Sequence, residues 1–253
     1  MIHLDAAGLA LVAAAALLAG AVNAVAGGGT LLSFPALLLL GFPALVANVT
    51  STLGLVLGYA GGSVAYRAEL SVQRERVAFL APISVVGAVV GAFLLTHTSP
   101  AVFAAVVPWL ILLACGLLLL QPVVTSRVRS RRPEHEQHRT PVLAIAQLLG
   151  GVYGAFFGAG LGVMMLAVLG LFIRDDLQRL NALKGMMSLT INIVAAVYFA
   201  LFGPVAWTAV AVMLPASAVG GFVGVMVARR LSATVLRAVV VAFGVAFAVH
   251  LLL

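Results

Sequence analysis

The sequence predicts an all-α, polytopic membrane protein, and three observations support that prediction. Hydrophobic residues make up 64% of the 253 residues and charged residues only 8%, whereas soluble domains carry roughly 25% charged residues. The apolar runs are long and continuous, which favours spanning helices over the alternating strands of a β-barrel. Most of the 14 Lys and Arg residues and the 7 Asp and Glu residues fall in a few short clusters near the ends of those runs.

The apolar runs divide into simple spans and broken ones. A spanning helix needs about 20 apolar residues, and six stretches fit one span each: residues 47–66, 77–96, 101–121, 181–202, 206–228 and 233–253. Two further stretches, 6–46 and 141–173, are interrupted by glycine at residues 27–29 and 158–160. The piece after each break has about 12 residues, or roughly 18 Å of helix, which is too short for a ~30 Å hydrocarbon core. Each broken stretch is therefore predicted as a helix, a break and a half-helix.

The two halves of the chain resemble each other. The positions of Gly20, Gly27 and Gly29 recur as Gly151, Gly158 and Gly160, and after a two-residue insertion six more residues recur at constant spacing: Asn48, Pro82, Ser84, Gly87, Gly91 and Ser99 match Asn181, Pro215, Ser217, Gly220, Gly224 and Ser232. We predict a first transmembrane repeat at 1–126, a cytoplasmic basic linker at 127–140 and a second repeat at 141–253. Each repeat has a broken hairpin followed by three spanning helices.

The basic clusters predict that the two repeats are inverted. Arginines follow the span 47–66, but Arg174 and Arg179 precede its equivalent, the span 181–202, and Lys184 lies near the start of that span. Because short loops rich in Lys and Arg stay in the cytoplasm, the equivalent spans run in opposite directions, as in many secondary transporters. We expect residues 67–76, 127–139 and 229–237 to be cytoplasmic, and residues 97–100, 203–206 and both termini to lie outside.

Several function classes are disfavoured by the sequence. The net charge of +7 comes from clusters at the ends of spans, so it indicates membrane orientation and not nucleic-acid binding. No phosphate-binding loop of the Gly-x4-Gly-Lys-Ser/Thr type is present. No nucleophile–base pair or set of metal ligands falls at membrane depth. We expect no enzyme activity, no cofactor and no metal.

The glycine breaks are the first candidate for a binding site. Three consecutive glycines at 27–29 precede Thr30, and glycine lets a backbone unwind and approach a ligand closely. The free N–H groups and positive dipole end of the following half-helix favour an anion. The alternative is close packing of a crossing helix on small residues. The matching break at residues 158–160 favours a ligand site, because paired interruptions in two repeats mark binding sites in transporters.

Polar side chains in two later spans are the second candidate. Asn48 opens one polar run, and its counterpart Asn181 opens another that includes Lys184, the only lysine in the chain. The two asparagines could instead cap helices, and the lysine could instead extend to the headgroups; an ammonium at membrane depth otherwise indicates function. The candidate substrate-binding residues are Asn23, Gly27, Gly28, Gly29, Thr30, Asn48, Thr50, Ser51, Thr52, Gly158, Gly160, Asn181, Lys184 and Asn192.

These motifs resemble the TauE/SafE family of sulfite and organosulfur-anion exporters, also called the toluene-sulfonate uptake permease group. The resemblance rests on Gly20-x-x-Asn23-x-x-x-Gly27-Gly28-Gly29-Thr30-Leu31-Leu32-Ser33-Phe34-Pro35-Ala36-Leu37, then Gly41, then Ala47-Asn48-x-Thr50-Ser51-Thr52, and extends through Asn181-Ala182-Leu183-Lys184. It implies a multi-pass transporter of the bacterial inner membrane with a duplicated bundle, and it does not fix the substrate. The second break has Gly154 and Ala159 where the first has Asn23 and Gly28, so its contribution to binding is limited to backbone.

The residues and the resemblance together predict an exporter of a small sulfur-containing anion such as sulfite or a sulfonate. Alternating access is expected from rocking of one repeat against the other, with the anion held between the two breaks near the midplane. The expected partners are that anion and the lipid bilayer, while a coupling ion and a homo-oligomer stay open. The alternatives are an anion channel and a non-transporting membrane assembly factor.

Overall fold

The computed structural model describes residues 4–25, 27–130, 140–227 and 233–252. Most of the predicted linker, residues 131–139, and the predicted cytoplasmic arginines at 229 and 230 lie outside these ranges. The described residues form helices and no strand, in the order α1 (Ala6–Val25), α2 (Thr30–Leu39), α3 (Ala44–Ala65), α4 (Arg67–Ser71), α5 (Arg74–His97), α6 (Pro100–Ser130), α7 (Pro141–Phe156), α8 (Leu161–Phe172), α9 (Leu177–Phe202), α10 (Trp207–Val227) and α11 (Ala233–Leu252).

Six helices of the described ranges are long and apolar enough to cross a bilayer, namely α1, α3, α5, α6, α9 and α10. Large apolar side chains such as Phe93, Trp109 and Phe222 are exposed on their outer surfaces. A protein in water would expose few contiguous apolar surfaces of this kind, whereas a lipid-facing surface requires them. The predicted class, an all-α polytopic membrane protein, is therefore confirmed.

Both glycine breaks separate a longer helix from a half-helix. Gly27, Gly158 and Gly160 have φ angles of +78°, +73° and +71°, a region that residues with a Cβ rarely adopt. The helices that follow the breaks, α2 and α8, have 10 and 12 residues, or about 15 and 18 Å of length. Neither can cross a ~30 Å core alone, which confirms the predicted half-helices.

Two spanning helices begin earlier than the sequence indicates. α3 begins at Ala44 after Pro43, and α9 begins at Leu177, where the carboxylate of Asp176 accepts the first free backbone N–H groups. Asn48 and Asn181 are consequently the fifth residues of α3 and α9. Helix capping, one of the two interpretations of these asparagines, is thereby wrong.

The helix before the predicted linker is longer than expected. α6 continues past residue 121, through Arg127, to Ser130, so the first four residues of the predicted linker are helical. The polarity of this stretch predicts a loop. No glycine ends the helix there, however, and a long Arg side chain can reach the aqueous boundary from a helix.

Helices of the two halves pack in exchanged pairs. α1 lies along α10, and α7 lies along α5. A Cβ on Gly220 would lie 2.0 Å from the carbonyl oxygen of Leu17, and one on Gly87 would lie 2.5 Å from that of Leu148. Gly87 and Gly220 are equivalent in the sequence repeat, as are their partners Leu17 and Leu148. The recurrence of these glycines therefore has a packing reason, since only glycine allows such close backbone contact.

The exchanged pairs belong to two bundles, each of which mixes both halves of the sequence. We name α1, α3 and α10 the first bundle, because α10 packs on both α1 and α3. We name α5, α7 and α9 the second bundle, because α5 packs on both α7 and α9. The two bundles face each other where α3 contacts α9, while α6 packs on α8 and α11, and α11 also packs on α2.

A polar network joins the start of α5 to the start of α9 within the second bundle. Asp175 is buried and forms ion pairs with both Arg76 and Arg179. Gln73, also buried, donates a hydrogen bond from Nε2 to the carbonyl oxygen of Arg179 at 3.0 Å. A buried carboxylate is tolerated when it is paired and hydrogen-bonded in this way, so the network fixes α5 and α9 relative to each other.

Candidate functional site

A small cavity lies between the two bundles, bordered by α1 and α3 on one side and by α9 on the other. Its volume is about 30 Å³, which is room for about two water molecules. It lies towards the ends of α3 and α9 that carry the basic clusters. Its lining residues are Asn23, Ala24, Gly58, Tyr59, Tyr66, Asn181, Lys184 and Gly185. The structure thus brings together three of the predicted site residues: Asn23, Asn181 and Lys184.

Asn23 links the first glycine break to this cavity. Its side chain is only 6% exposed, and its Oδ1 accepts the backbone N–H of Gly29 at 2.7 Å. Because Oδ1 is used in that bond, the other polar atom of the amide group, Nδ2, lies on the side away from Gly29. Nδ2 is buried and forms no hydrogen bond of ordinary geometry, although the hydroxyl of Tyr59 lies beside this side chain. A buried donor without an acceptor is costly, and a ligand with acceptor oxygens in the cavity removes that cost.

Lys184 supplies a cation to the same cavity. It lies two turns into α9, and only 7% of it is exposed, so its side chain does not extend to the headgroups. Among the residues that the structure describes, Lys184 has no ion-pair partner. No Asp or Glu occurs among the residues that line the cavity. An ammonium in low dielectric attracts an anion strongly, so the electrostatics favour an anionic ligand.

Tyr59 is a functional candidate that the sequence does not reveal. Its side chain is buried in α3 and lines the cavity. Its hydroxyl lies beside the side chains of Asn23, Thr30 and Asn192, so Tyr59 joins two further predicted site residues to the first three. A tyrosine in an apolar span gives no sequence signal that separates a binding role from core packing.

Two buried hydroxyl groups near the cavity also lack partners. Ser63 lies on α3 opposite Gly185, where a Cβ on Gly185 would lie 3.8 Å from Ser63 Oγ. Ser188 lies one turn after Lys184 on α9. The Oγ atoms of both serines are buried without a hydrogen bond. Neither serine is among the residues that line the cavity, but Ser63 lies opposite the lining residue Gly185 and Ser188 lies one turn from the lining residue Lys184.

The first glycine break packs directly against the start of α8, the half-helix that follows the second break. A Cβ on Gly27 would lie 2.6 Å from the Cα of Gly162, which is the second residue of α8. A Cβ on Gly28 would lie 2.8 Å from the side chain of Leu118. Protein atoms thus lie directly against Gly27 and Gly28, on the side where the sequence predicts the anion. The described cavity is reached from the first break through Asn23, which lines it and bonds to Gly29.

The second break has no direct part in the cavity. Gly158 and Gly160 lie in the interior, and a Cβ on Gly160 would lie 3.3 Å from the carbonyl oxygen of Ala114. The hydroxyl of Tyr153 donates to the carbonyl oxygen of Ala159 at 2.6 Å. The backbone of this break is therefore stabilised by protein groups.

The polar run on α3 also bonds to protein groups. Asn48 Nδ2 donates to the carbonyl oxygen of Phe156 at 2.9 Å, and Thr52 Oγ1 donates to the carbonyl oxygen of Asn48 at 3.0 Å. Thr50 Oγ1 accepts the backbone N–H of Ala206 at 3.1 Å. Ser51 Oγ lies 2.6 Å from Ser33 Oγ. These four predicted site residues lie apart from the cavity, at the opposite end of the interface between the bundles.

The comparisons with known proteins agree with a transport function. A family model described as "Sulfite exporter TauE/SafE" matches residues 12–251. A "Probable membrane transporter protein" of Haemophilus influenzae is 28% identical over 92% of this chain and 90% of its own length. "Probable membrane transporter protein YfcA" of Escherichia coli K12 is 30% identical over 85% of this chain and 77% of its own. A "Probable membrane transporter protein ORF9" of a Sinorhizobium species is 27% identical over 96% and 92%.

No solved structure matches the chain. The family model nevertheless covers most of the first helix, both glycine breaks and all the residues of the cavity. The relatives that share its length are named as membrane transporters, which is not a class of enzyme. The chain therefore belongs to the TauE/SafE family of membrane transporters.

Proposed function

We propose that the protein exports a small, sulfur-containing oxyanion such as sulfite or a sulfonate across the bacterial inner membrane. The observation that supports this proposal most strongly is the unpartnered Nδ2 of Asn23 beside the buried ammonium of Lys184. Both groups need an acceptor, and among the described lining residues there is no carboxylate to provide one. An anion supplies acceptor oxygens and a compensating charge together.

The donors around the cavity suit a compact headgroup with several oxygens. Asn23, Lys184 and Tyr59 approach from three helices, and the hydroxyl group of Ser63 lies nearby. Sulfite and sulfonates present three oxygens on one sulfur, so one headgroup can accept from several of these donors at once. The description of the matching family as a sulfite exporter favours the same headgroup.

The proposed orientation places the basic ends of α3 and α9 in the cytoplasm and both termini outside. The two repeats are then inverted relative to each other. In this orientation the cavity lies towards the cytoplasm, which is the side from which an exporter takes its substrate. The contacts of α1 with α10 and of α7 with α5 occupy equivalent places in the two repeats, which supports a pseudo-symmetric pair of repeats.

A transporter is favoured over a channel, because the two ends of the interface between the bundles differ. At the end opposite the cavity, Asn48 is 0% exposed and bonds across the interface to Phe156. A channel would need a path open at both ends at once. Saturable exchange of internal for external sulfite by the purified protein in liposomes is the expected behaviour, and a flux that rises linearly with concentration would favour a channel.

Asn23→Asp is expected to lower this sulfite exchange about tenfold or more. The carboxylate retains an oxygen for the N–H of Gly29, so the break is preserved, but it presents an oxygen instead of an NH₂ group to the anion. Gln178→Glu makes the same chemical change near the start of α9, away from the cavity, and is expected to stay within twofold of wild type. Asn23→Asp protein that exchanges sulfite at the wild-type rate would contradict the proposed site.

A further inference from the structure

We propose that Asn48 and Asn181 are a pair of access-controlling residues, each of which closes one end of the interface between the bundles in alternate states. In this structure Asn48 holds the outer end closed, and Asn181 has released the inner end. The inference rests on the proposed transport function, and it adds the residues that regulate access to the site.

The two asparagines occupy equivalent places. Asn48 and Asn181 match in the sequence repeat, and each is the fifth residue of its helix, α3 or α9. Asn48 bonds to the carbonyl oxygen of Phe156, the last residue of α7. By the same spacing that matches Gly20 with Gly151, residue 156 corresponds to residue 25, the last residue of α1. The equivalent partner of Asn181 is therefore the carboxyl end of α1.

Both of these contacts join one bundle to the other. Asn48 belongs to the first bundle and Phe156 to the second, whereas Asn181 belongs to the second bundle and the end of α1 to the first. Motion of one bundle against the other must therefore change both distances. Since the two contacts lie at opposite ends of the interface, closing one favours opening the other.

In the structure the Asn48 contact is formed, and the equivalent contact of Asn181 is not. Asn48 is fully buried and donates to Phe156 at 2.9 Å. Asn181 is partly exposed and lines the cavity with Ala24, the residue before the end of α1. The cavity thus occupies the place where the second contact would form. In transporters built from inverted repeats, equivalent residues of the two repeats make different contacts in any one state of the transport cycle.

In the other state of the transport cycle, the Asn181 contact is formed and the Asn48 contact is broken. Asn181 Nδ2 donates to the carbonyl oxygen of residue 25, which closes the inner end over the anion. Asn48 releases Phe156, which opens the outer end. Each end is held by a hydrogen bond that can break and reform, and the Arg76–Asp175–Arg179 network keeps α5 and α9 together during the motion.

Thiol labelling from each side tests this pair of residues without any transported anion. In a Cys115→Ala background, Ala155→Cys places a thiol at a buried position beside the outer contact, and Ala24→Cys places one in the cavity. Asn48→Ala is expected to raise the rate at which an impermeant outside reagent labels position 155 by at least about tenfold. It should also slow labelling of position 24 from inside. Asn181→Ala is expected to have the opposite effect at both positions.

Two controls make the result decisive. Thr190→Ala removes a side-chain hydrogen bond within α9 and is expected to leave both labelling rates within twofold. Asn48→Asp keeps the shape of the side chain but loses its donor, so it should reproduce Asn48→Ala if the latter fails to fold. Labelling of position 155 that stays within twofold in folded Asn48→Ala and Asn48→Asp proteins would overturn the proposal. A failure to exchange sulfite would instead count against the proposed function alone.

Discussion

Replacing Lys184 by glutamine is expected to lower the affinity of the purified protein for its anion by about 100-fold, or about 2.7 kcal/mol. The ammonium is buried beside Asn23, and no acidic residue occurs among the described lining residues. Its attraction for an anion is therefore weakened little by water or by another charge. Titration of sulfite into detergent-solubilised wild-type and variant protein measures the difference directly.

Two further variants separate the loss of this cation from a general loss of positive charge. Lys184→Arg keeps the charge but changes donor geometry and reach, so part of the affinity should remain. Arg237→Gln removes a cation from α11, where its partner is Gln121, and is expected to leave affinity within about twofold. Lys184→Gln protein that binds as tightly as wild type would remove this residue from the site.

Gly29→Ala is expected to destabilise the protein severely, by about 3 kcal/mol or more. A Cβ at this position would lie 2.1 Å from the backbone oxygen of Ala19 and 2.8 Å from the Asn23 side chain. Its φ and ψ of −61° and −29° are allowed for any residue, so the effect is steric. Thermal unfolding and the monodisperse yield in detergent are the measurements.

Gly28→Ala is the matched variant, because it adds the same methyl group one residue earlier. There the three nearest atoms all belong to the side chain of Leu118, the closest at 2.8 Å, and a flexible side chain can move. The loss of stability should be smaller than for Gly29→Ala, and Leu118→Ala should restore part of it. If Gly29→Ala protein were as stable as wild type, the close contact between the break and α1 would be contradicted.

Much of the fold could be predicted because a membrane restricts the choices. Hydrocarbon requires long apolar helices, so composition alone indicated the class. Consecutive glycines are unfavourable in a helix, so residues 27–29 marked a break. The packing partners were not predictable in the same way. The spacing of Gly87 and Gly91 shows that a backbone approaches closely, but nothing local in the sequence shows that this backbone is α7.

The candidate site was only partly predictable, for a related reason. A polar residue in an apolar helix needs a partner, but the sequence does not show whether that partner is a ligand or a backbone carbonyl. In the sequence, Asn23 and Asn48 cannot be told apart in this respect, because each is an asparagine in an apolar helix. The structure leaves Asn23 Nδ2 without a partner, whereas Asn48 bonds to Phe156. Tyr59 gave no signal, because a buried aromatic ring is usual in any core.

The sequence predicts rocking of one proposed repeat against the other, and the packing favours different moving units. α1 is held to α10, and α7 to α5, by glycine contacts that join the two halves of the sequence. The units best suited to move are therefore the two mixed bundles, which face each other along α3 and α9. The proposed site and both access-controlling asparagines lie along that interface.

Binding of selenite shows whether an oxyanion occupies the space between Asn23 and Lys184. Selenite shares the pyramidal shape of sulfite, and its selenium atom can be located by anomalous diffraction from crystals grown at a concentration that saturates exchange. An anomalous peak is expected in the cavity, within hydrogen-bonding reach of Asn23 Nδ2 and Lys184 Nζ. A selenium peak elsewhere in the protein, with none in this cavity, would contradict the proposed site.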